Sequence, residues 1–90
     1  MKHTIVVFTM NGCKYCYDLK NKLQELSIPF NEIEISINKD IWDSVVKQTG
    51  HNVLPTVYIN KNNSDEGPIY IPGVDFNNEN EIVEIIKTFI

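Results

Sequence analysis

Thr4-Ile5-Val6-Val7-Phe8-Thr9-Met10-Asn11-Gly12-Cys13-Lys14-Tyr15-Cys16 decides the fold of this 90-residue chain. Ile5 to Phe8 is a continuous β-branched and aromatic run, the pattern of a strand buried on both faces in the middle of a parallel sheet. Strand one is accordingly placed from Thr4 to Thr9. After the turn signal Asn11-Gly12, apolar positions Cys16, Leu19, Leu23 and Leu26 recur at three- and four-residue spacing. They predict an amphipathic helix from Lys14 to Leu26, which Pro29 prevents from continuing. The two cysteines fall where the strand hands over to the helix.

Downstream, Phe30 to Ile37 alternates, with Ile33, Ile35 and Ile37 on one side and Glu32, Glu34 and Ser36 on the other. This predicts a second strand with one more solvated face, so a strand–helix–strand crossover makes the first two strands parallel. From Lys39 to Thr49 the apolar stripe Ile41, Trp42, Val45 and Val46 predicts helix two, ended by a left-handed cap at Gly50. Pro55 opens the short β-rich run Thr56-Val57-Tyr58-Ile59, and polar Lys61 to Gly67 separates it from Ile69-Tyr70-Ile71, predicting a hairpin with a long tip. Asn78 and Glu81 cap a last helix whose core face is Ile82, Val83, Ile85, Ile86, Phe89 and Ile90. The order β-α-β-α-β-β-α, with parallel strands first, an added antiparallel hairpin and helices on both faces, is a thioredoxin-like α/β plan with a four-stranded mixed sheet.

Ninety residues suit one domain, residues 1–90, because a second core needs roughly 50 residues more. The formal net charge is −4 and the eight lysines are dispersed; with no basic stripe to neutralise phosphates, nucleic acid is not an expected partner. The apolar stretch after Met1-Lys2-His3 is shorter than the roughly 7–15 residues of a secretion signal. No membrane span is read, and the expected location is cytoplasmic. Two cysteines are too few for a disulfide framework, and so short a loop removes little unfolded-state entropy, so their purpose is chemical.

At the start of a helix the Cys13 sulfur meets unpaired N–H groups and the positive end of the dipole. These favour the thiolate, lowering a pKa of about 8.5 by roughly one to several units, and make Cys13 the expected nucleophile. Cys16, one turn further in, is placed to attack a mixed disulfide as the resolving cysteine. Lys14 adds a positive charge beside the attacking sulfur, and the Tyr15 ring is able to cover the pair; either also reads as an exposed helix residue. The rival readings are two small buried hydrophobes, or half a zinc site, for which His3 and His51 are the only histidines. A C-x-x-C after a buried strand and opening a helix favours redox chemistry, with no metal.

Over essentially its whole length the sequence resembles the glutaredoxins, a thioredoxin-fold family that reduces disulfides and protein–glutathione mixed disulfides with glutathione as electron source. Cys13-Lys14-Tyr15-Cys16 stands for the family's C-P-Y-C, and the segment Gly50 to Ile59 for G-x-x-T-V-P-x-V-F-I. Pro72-Gly73-Val74-Asp75 stands for G-G-x-D. The resemblance implies a cis Pro55 facing the cysteines and a Leu54 backbone that pairs with the cysteinyl part of glutathione like an added strand. It implies a Gly73 that lets the backbone approach closely, Val74 and Asp75 N–H groups for the γ-glutamyl carboxylate, and an Asp75 carboxylate for its ammonium. Asp75 also reads as an early cap of the last helix. Lys14 and Tyr15 complete the expected glutathione contacts.

The sequence departs from the family at Lys14 for proline, at Met10 where many members place a lysine, at Val53 for threonine and at Pro72 for glycine. Lys14, Lys47 and His51 are the candidate replacement cations. The implied activity is that of a monomeric dithiol enzyme with no tightly bound cofactor and glutathione as co-substrate. Its expected partners are disulfide-containing or glutathionylated proteins, ribonucleotide reductase among them. The alternatives are a redoxin that feeds ribonucleotide reductase from thioredoxin reductase, and a carrier in which two chains hold an iron–sulfur centre. Among other residues, Trp42 reads as core packing, and Glu32 and Glu34 as solvated charge rather than a paired acid and base.

Overall fold

A computed structural model describes residues 3–61 and 67–90. The apolar run forms β1 (His3–Thr9), followed by α1 (Lys14–Glu25), β2 (Asn31–Glu34), α2 (Lys39–Thr49), β3 (Thr56–Lys61), β4 (Ile69–Tyr70) and α3 (Glu79–Lys87). The sheet order is β2-β1-β3-β4, with β1 parallel to β2 and antiparallel to β3, and β3 antiparallel to β4. This is the four-stranded mixed sheet of the thioredoxin-like plan. The tip of the β3–β4 hairpin, residues 62–66, lies outside the described residues, as do Met1 and Lys2.

Because strand side chains alternate faces, the run in β1 feeds two cores. Ile5 and Val7 join Leu19 and Leu23 of α1, Val57 and Ile59 of β3, Phe76, and Ile82, Val83 and Ile86 of α3. Val6 and Phe8 point the other way and pack on Trp42 and Val45 of α2, with the Phe8 and Trp42 rings 5.4 Å apart.

Three expectations need correction. β2 ends at Glu34 rather than Ile37: Ile35 N–H still bonds Thr9 O, but the Glu34 carboxylate then captures the Ser36 and Ile37 N–H groups and turns the chain, leaving Ile37 81% exposed. Helix one stops before Pro29 acts. Ser27 takes φ +56, Ser27 N–H bonds Gln24 O and Ile28 N–H bonds Leu23 O, the paired bonds of a Schellman ending, with Ile28 and Leu23 together in the core. Ile90, assigned to the core face of the last helix, is half exposed beyond its end, as is Ile41 on α2. Gly50 does adopt the left-handed conformation after α2, at φ +74.

Candidate active site

The turn between β1 and α1 is closed by Cys13 N–H donating to Met10 O at 3.2 Å. Gly12 sits at its third position with φ +80, a conformation that glycine adopts without a Cβ penalty. The turn delivers Cys13 as the N-cap of α1, where its Sγ accepts from Cys16 N–H at 3.2 Å. Cys13 and Cys16 are joined as a disulfide across a Cα separation of 5.3 Å. Cys13 is half-buried, whereas Cys16 is 1% exposed. Of the two sulfurs, that of Cys13 is therefore the more accessible and the one at the helix N-terminus, the kind of position that favours a thiolate in a reduced cysteine.

A second carboxylate-centred network holds that turn. Glu34, at the end of β2, accepts from Asn11 N–H at 3.3 Å through one oxygen, and through the other from the Ser36 N–H and hydroxyl and the Ile37 N–H. The Ser36 hydroxyl and these amides hold the Glu34 carboxyl below its ordinary range. Beside it, Glu32 accepts from Lys20 Nζ at 2.8 Å and from the buried Thr9 hydroxyl at 2.6 Å, which together lower its carboxyl also. Reading both residues as solvated charge missed these roles. The Glu-x-Ser spacing of a side-chain turn was the signal for Glu34; nothing local marks Glu32.

Lys14 does not stand free beside the sulfur. Its ammonium, on an 81% exposed side chain, bonds Asp18 at 3.2 Å, and that carboxylate raises its pKa above the usual lysine range. It also lies 5.9 Å from the centre of the Tyr15 ring.

Two clefts lie around the start of α1. One, of about 310 Å³, is walled by Tyr15 and Leu19 of α1, by Val53, Leu54 and Pro55, and by Pro72 and Gly73. Phe76 and the first turn of α3, with Asn78 and Glu79, close it. The other, of about 400 Å³, is lined by Met10, Cys13, Lys14, Cys16, Tyr17 and Lys20. Lys14 and Tyr15 thus line different clefts; both cysteines line the second, and Tyr15, between them in the sequence, lines the first. Lys47 and His51 line neither cleft.

The Leu54–Pro55 bond is cis. Thr56 Oγ1 donates to Val53 O at 2.7 Å, and Trp42 Nε1 to Asn52 Oδ1 at 3.1 Å, so α2 and β3 both fasten this segment. Trp42 therefore packs, as expected, and also anchors the loop. Leu54 N–H and C=O enter no loop or turn hydrogen bond among the described residues.

The Pro72–Asp75 turn differs from its expected use. Gly73 has φ +82 with open space where a Cβ would sit, so backbone conformation rather than close approach calls for glycine. Val74 and Asp75 N–H groups both donate to Ile71 O, at 3.1 and 2.8 Å, and Asp75 Oδ2 accepts from Ile71 N–H at 2.7 Å. Asp75 fastens its own turn and does not cap α3; Asn78 Oδ1 does that, accepting from Glu81 N–H at 3.0 Å. Among the described residues no three His, Cys, Asp or Glu side chains converge as a metal site, and no helix is long and apolar enough to cross a membrane.

A glutaredoxin family model matches residues 5–63. The chain is 35% identical over 63 residues to the N-acetyl-S-hydroxy-L-cysteine reductase of Bacillus subtilis, covering 70% of this chain and 68% of that protein. It is 32% identical over 62 residues to glutaredoxin-C2 of Arabidopsis thaliana, covering 66% of this chain and 56% of the relative, little more than half its length. The crystal structure of a buckwheat glutaredoxin–glutathione complex superposes with TM-score 0.60 at 21% identity, over 97% of this chain and 71% of the other. A cysteine pair at a helix N-terminus, the same fold and a match across more than half the chain agree: this protein belongs to the glutaredoxin family of thiol–disulfide oxidoreductases.

Proposed function

We propose that the protein is a cytoplasmic, monomeric dithiol enzyme that reduces protein disulfides and glutathione mixed disulfides, with glutathione as the electron source. The observation that carries this reading is Cys13 Sγ capping α1 and accepting from Cys16 N–H, with Cys16 buried behind it. The Cys13 thiolate attacks a substrate disulfide, one substrate sulfur leaves and takes a proton, and Cys16 then displaces the other, forming the disulfide seen here. Glutathione restores the dithiol by the same exchanges in reverse. Leu54, with its backbone free of loop bonds and on the cleft wall, is the proposed strand-like partner of the glutathione cysteinyl group, next to Tyr15, Pro55 and Gly73. Val74 and Asp75 contribute N–H groups only by sharing the bonds they give Ile71. Ribonucleotide reductase is a proposed protein substrate.

The test is a coupled assay of glutathione-dependent reduction of a small mixed disulfide, run beside a thioredoxin-reductase control. Cys13→Ser is expected to fall to background, and Cys16→Ser to keep the glutathione-dependent monothiol reaction. Full turnover in Cys13→Ser sinks the proposal. Activity with thioredoxin reductase alone replaces the electron source, and a visible chromophore after anaerobic purification favours cluster carriage instead.

The identity to the Bacillus subtilis reductase supports a second substrate class, an S-hydroxylated cysteine. Cys13 thiolate attack on its sulfur breaks the S–O bond, hydroxide leaves as water after protonation, and Cys16 releases the reduced thiol. Consumption of an S-hydroxylated N-acetylcysteine by the reduced protein, with one enzyme disulfide formed per molecule, checks it.

A further inference from the structure

Among the residues lining the cleft beside Leu54 and Pro55, one is charged at neutral pH, and it is a carboxylate, Glu79. It occupies the first position of α3 and is half-buried. Among the described residues no hydrogen bond or ion pair engages it, whereas its neighbour Glu81 is spent on Asn77 N–H at 2.7 Å. Helix α3 does not need it as a cap, because Asn78 already serves. Lys14, which feels the Glu79 charge, has its ammonium committed to Asp18. A half-buried, uncommitted carboxylate on the wall of a cleft otherwise lined by neutral side chains acts on whatever charge a ligand brings there.

We propose that Glu79 determines substrate charge preference: the cleft favours disulfides whose bound half carries an ammonium or guanidinium group, and disfavours halves that carry only carboxylates. This deepens the oxidoreductase reading above and rests on it. During the reaction the Cys13 thiolate breaks the substrate S–S bond and holds one half as a mixed disulfide. The other half leaves as a thiolate that takes a proton from solvent. Cys16, having lost its proton, then attacks Cys13 Sγ and frees the held half, so one disulfide and one enzyme dithiol become two thiols and one enzyme disulfide. Glu79 acts on the half that is held, where that half extends past Tyr15 into the cleft that Glu79 lines.

Three symmetric disulfides test this in single turnover with reduced protein: cystamine, dicationic; bis(2-hydroxyethyl) disulfide, neutral; and dithiodiglycolate, dianionic. Each rate is divided by that of dithiothreitol with the same disulfide, which removes intrinsic reactivity. At low salt the corrected cationic-to-anionic ratio is expected to be about tenfold, the size that one partly exposed charge attracting one ligand and repelling the other gives. It should shrink at about 0.5 M salt. In Glu79→Gln the ratio is expected to fall to about twofold. Glu84→Gln removes the same charge from the far face of α3, where Glu84 lies 3.7 Å from Lys87 Nζ, and should retain the wild-type ratio. An unchanged ratio in Glu79→Gln, or an equal fall in Glu84→Gln, overturns the proposal. Failure of the reduced protein to cleave any of the three overturns the oxidoreductase reading beneath it. Glutathione disulfide carries both kinds of charge and is not a probe here.

Discussion

Removing the Glu34 carboxylate unfastens two turns at once, because one side chain ties Asn11 N–H of the Cys13 turn to Ser36 and Ile37 after β2. Glu34→Ala is expected to lower kcat/KM for a small disulfide by roughly tenfold, below the roughly hundredfold that a full 1 Å misplacement can cost. A titration of thiolate absorbance read alongside should show a higher Cys13 pKa; identical kinetics and titration would show that the turn holds itself. Glu32 gives a pH prediction. The Lys20 ammonium, and after it the Thr9 hydroxyl, lower its folded-state pKa from the ordinary value of 4.5. A lowered folded value contributes stability above that pH and loses it as pH falls through the folded value. Wild type should therefore lose urea resistance on acidification below pH ~4.5 more steeply than Lys20→Met, by a small margin because Glu32 is 37% exposed. At this scale the cysteine pair was legible from its spacing together with its place between a buried strand and a helix. Glu32 and Glu79 were not, since their partners or cleft are assembled from segments far apart in the chain, and for Glu34 only the local turn with Ser36 was signalled, not the bond to Asn11 N–H.

Helix α1 ends in a residue type poorly suited to its backbone. Ser27 carries φ +56 at the left-handed position of the Schellman ending, where a Cβ is disfavoured and glycine is the usual occupant. Ser27→Gly is expected to stabilise the protein by about 0.5–1 kcal/mol, relieving the left-handed cost, read as a rise in the denaturant midpoint with unchanged slope. Loss of stability would show that the Ser27 side chain matters more than its backbone. The elements themselves were largely readable: the 3.6-residue apolar period placed α1 and α2 within a residue of their observed ends, while for α3 it ran on to Ile90, three residues past Lys87. β2 was overextended because Ile35 and Ile37 continue the alternation past the point where Glu34 turns the chain, a competition between side-chain capping and sheet pairing that periodicity does not register.

Across the whole molecule the sheet is unevenly covered. Among the described residues, eleven buried ones form the core on the α1–α3 face and four the core beneath α2. Ile82→Ala, at a fully buried site of the larger core, is expected to cost about 2–5 kcal/mol, and Val45→Ala, 9% exposed in the smaller one, about 1–2 kcal/mol. Their sum should hold in the double variant within about 0.5 kcal/mol, because the sheet separates them. Calorimetric or denaturant unfolding of the four proteins checks this, and a larger deviation would reveal coupling through β1. The sheet edges carry a different consequence. β4 is two residues long, and β2 is four, bearing Glu32 and Glu34. Edges this short and charged make poor templates for aggregation by strand addition. On the wall of the first cleft, by contrast, Leu54 keeps an N–H and a C=O out of loop bonding. The rims thus offer little backbone for copies of the molecule to pair with, and under the function proposed above the open backbone at Leu54 is left for an extended guest.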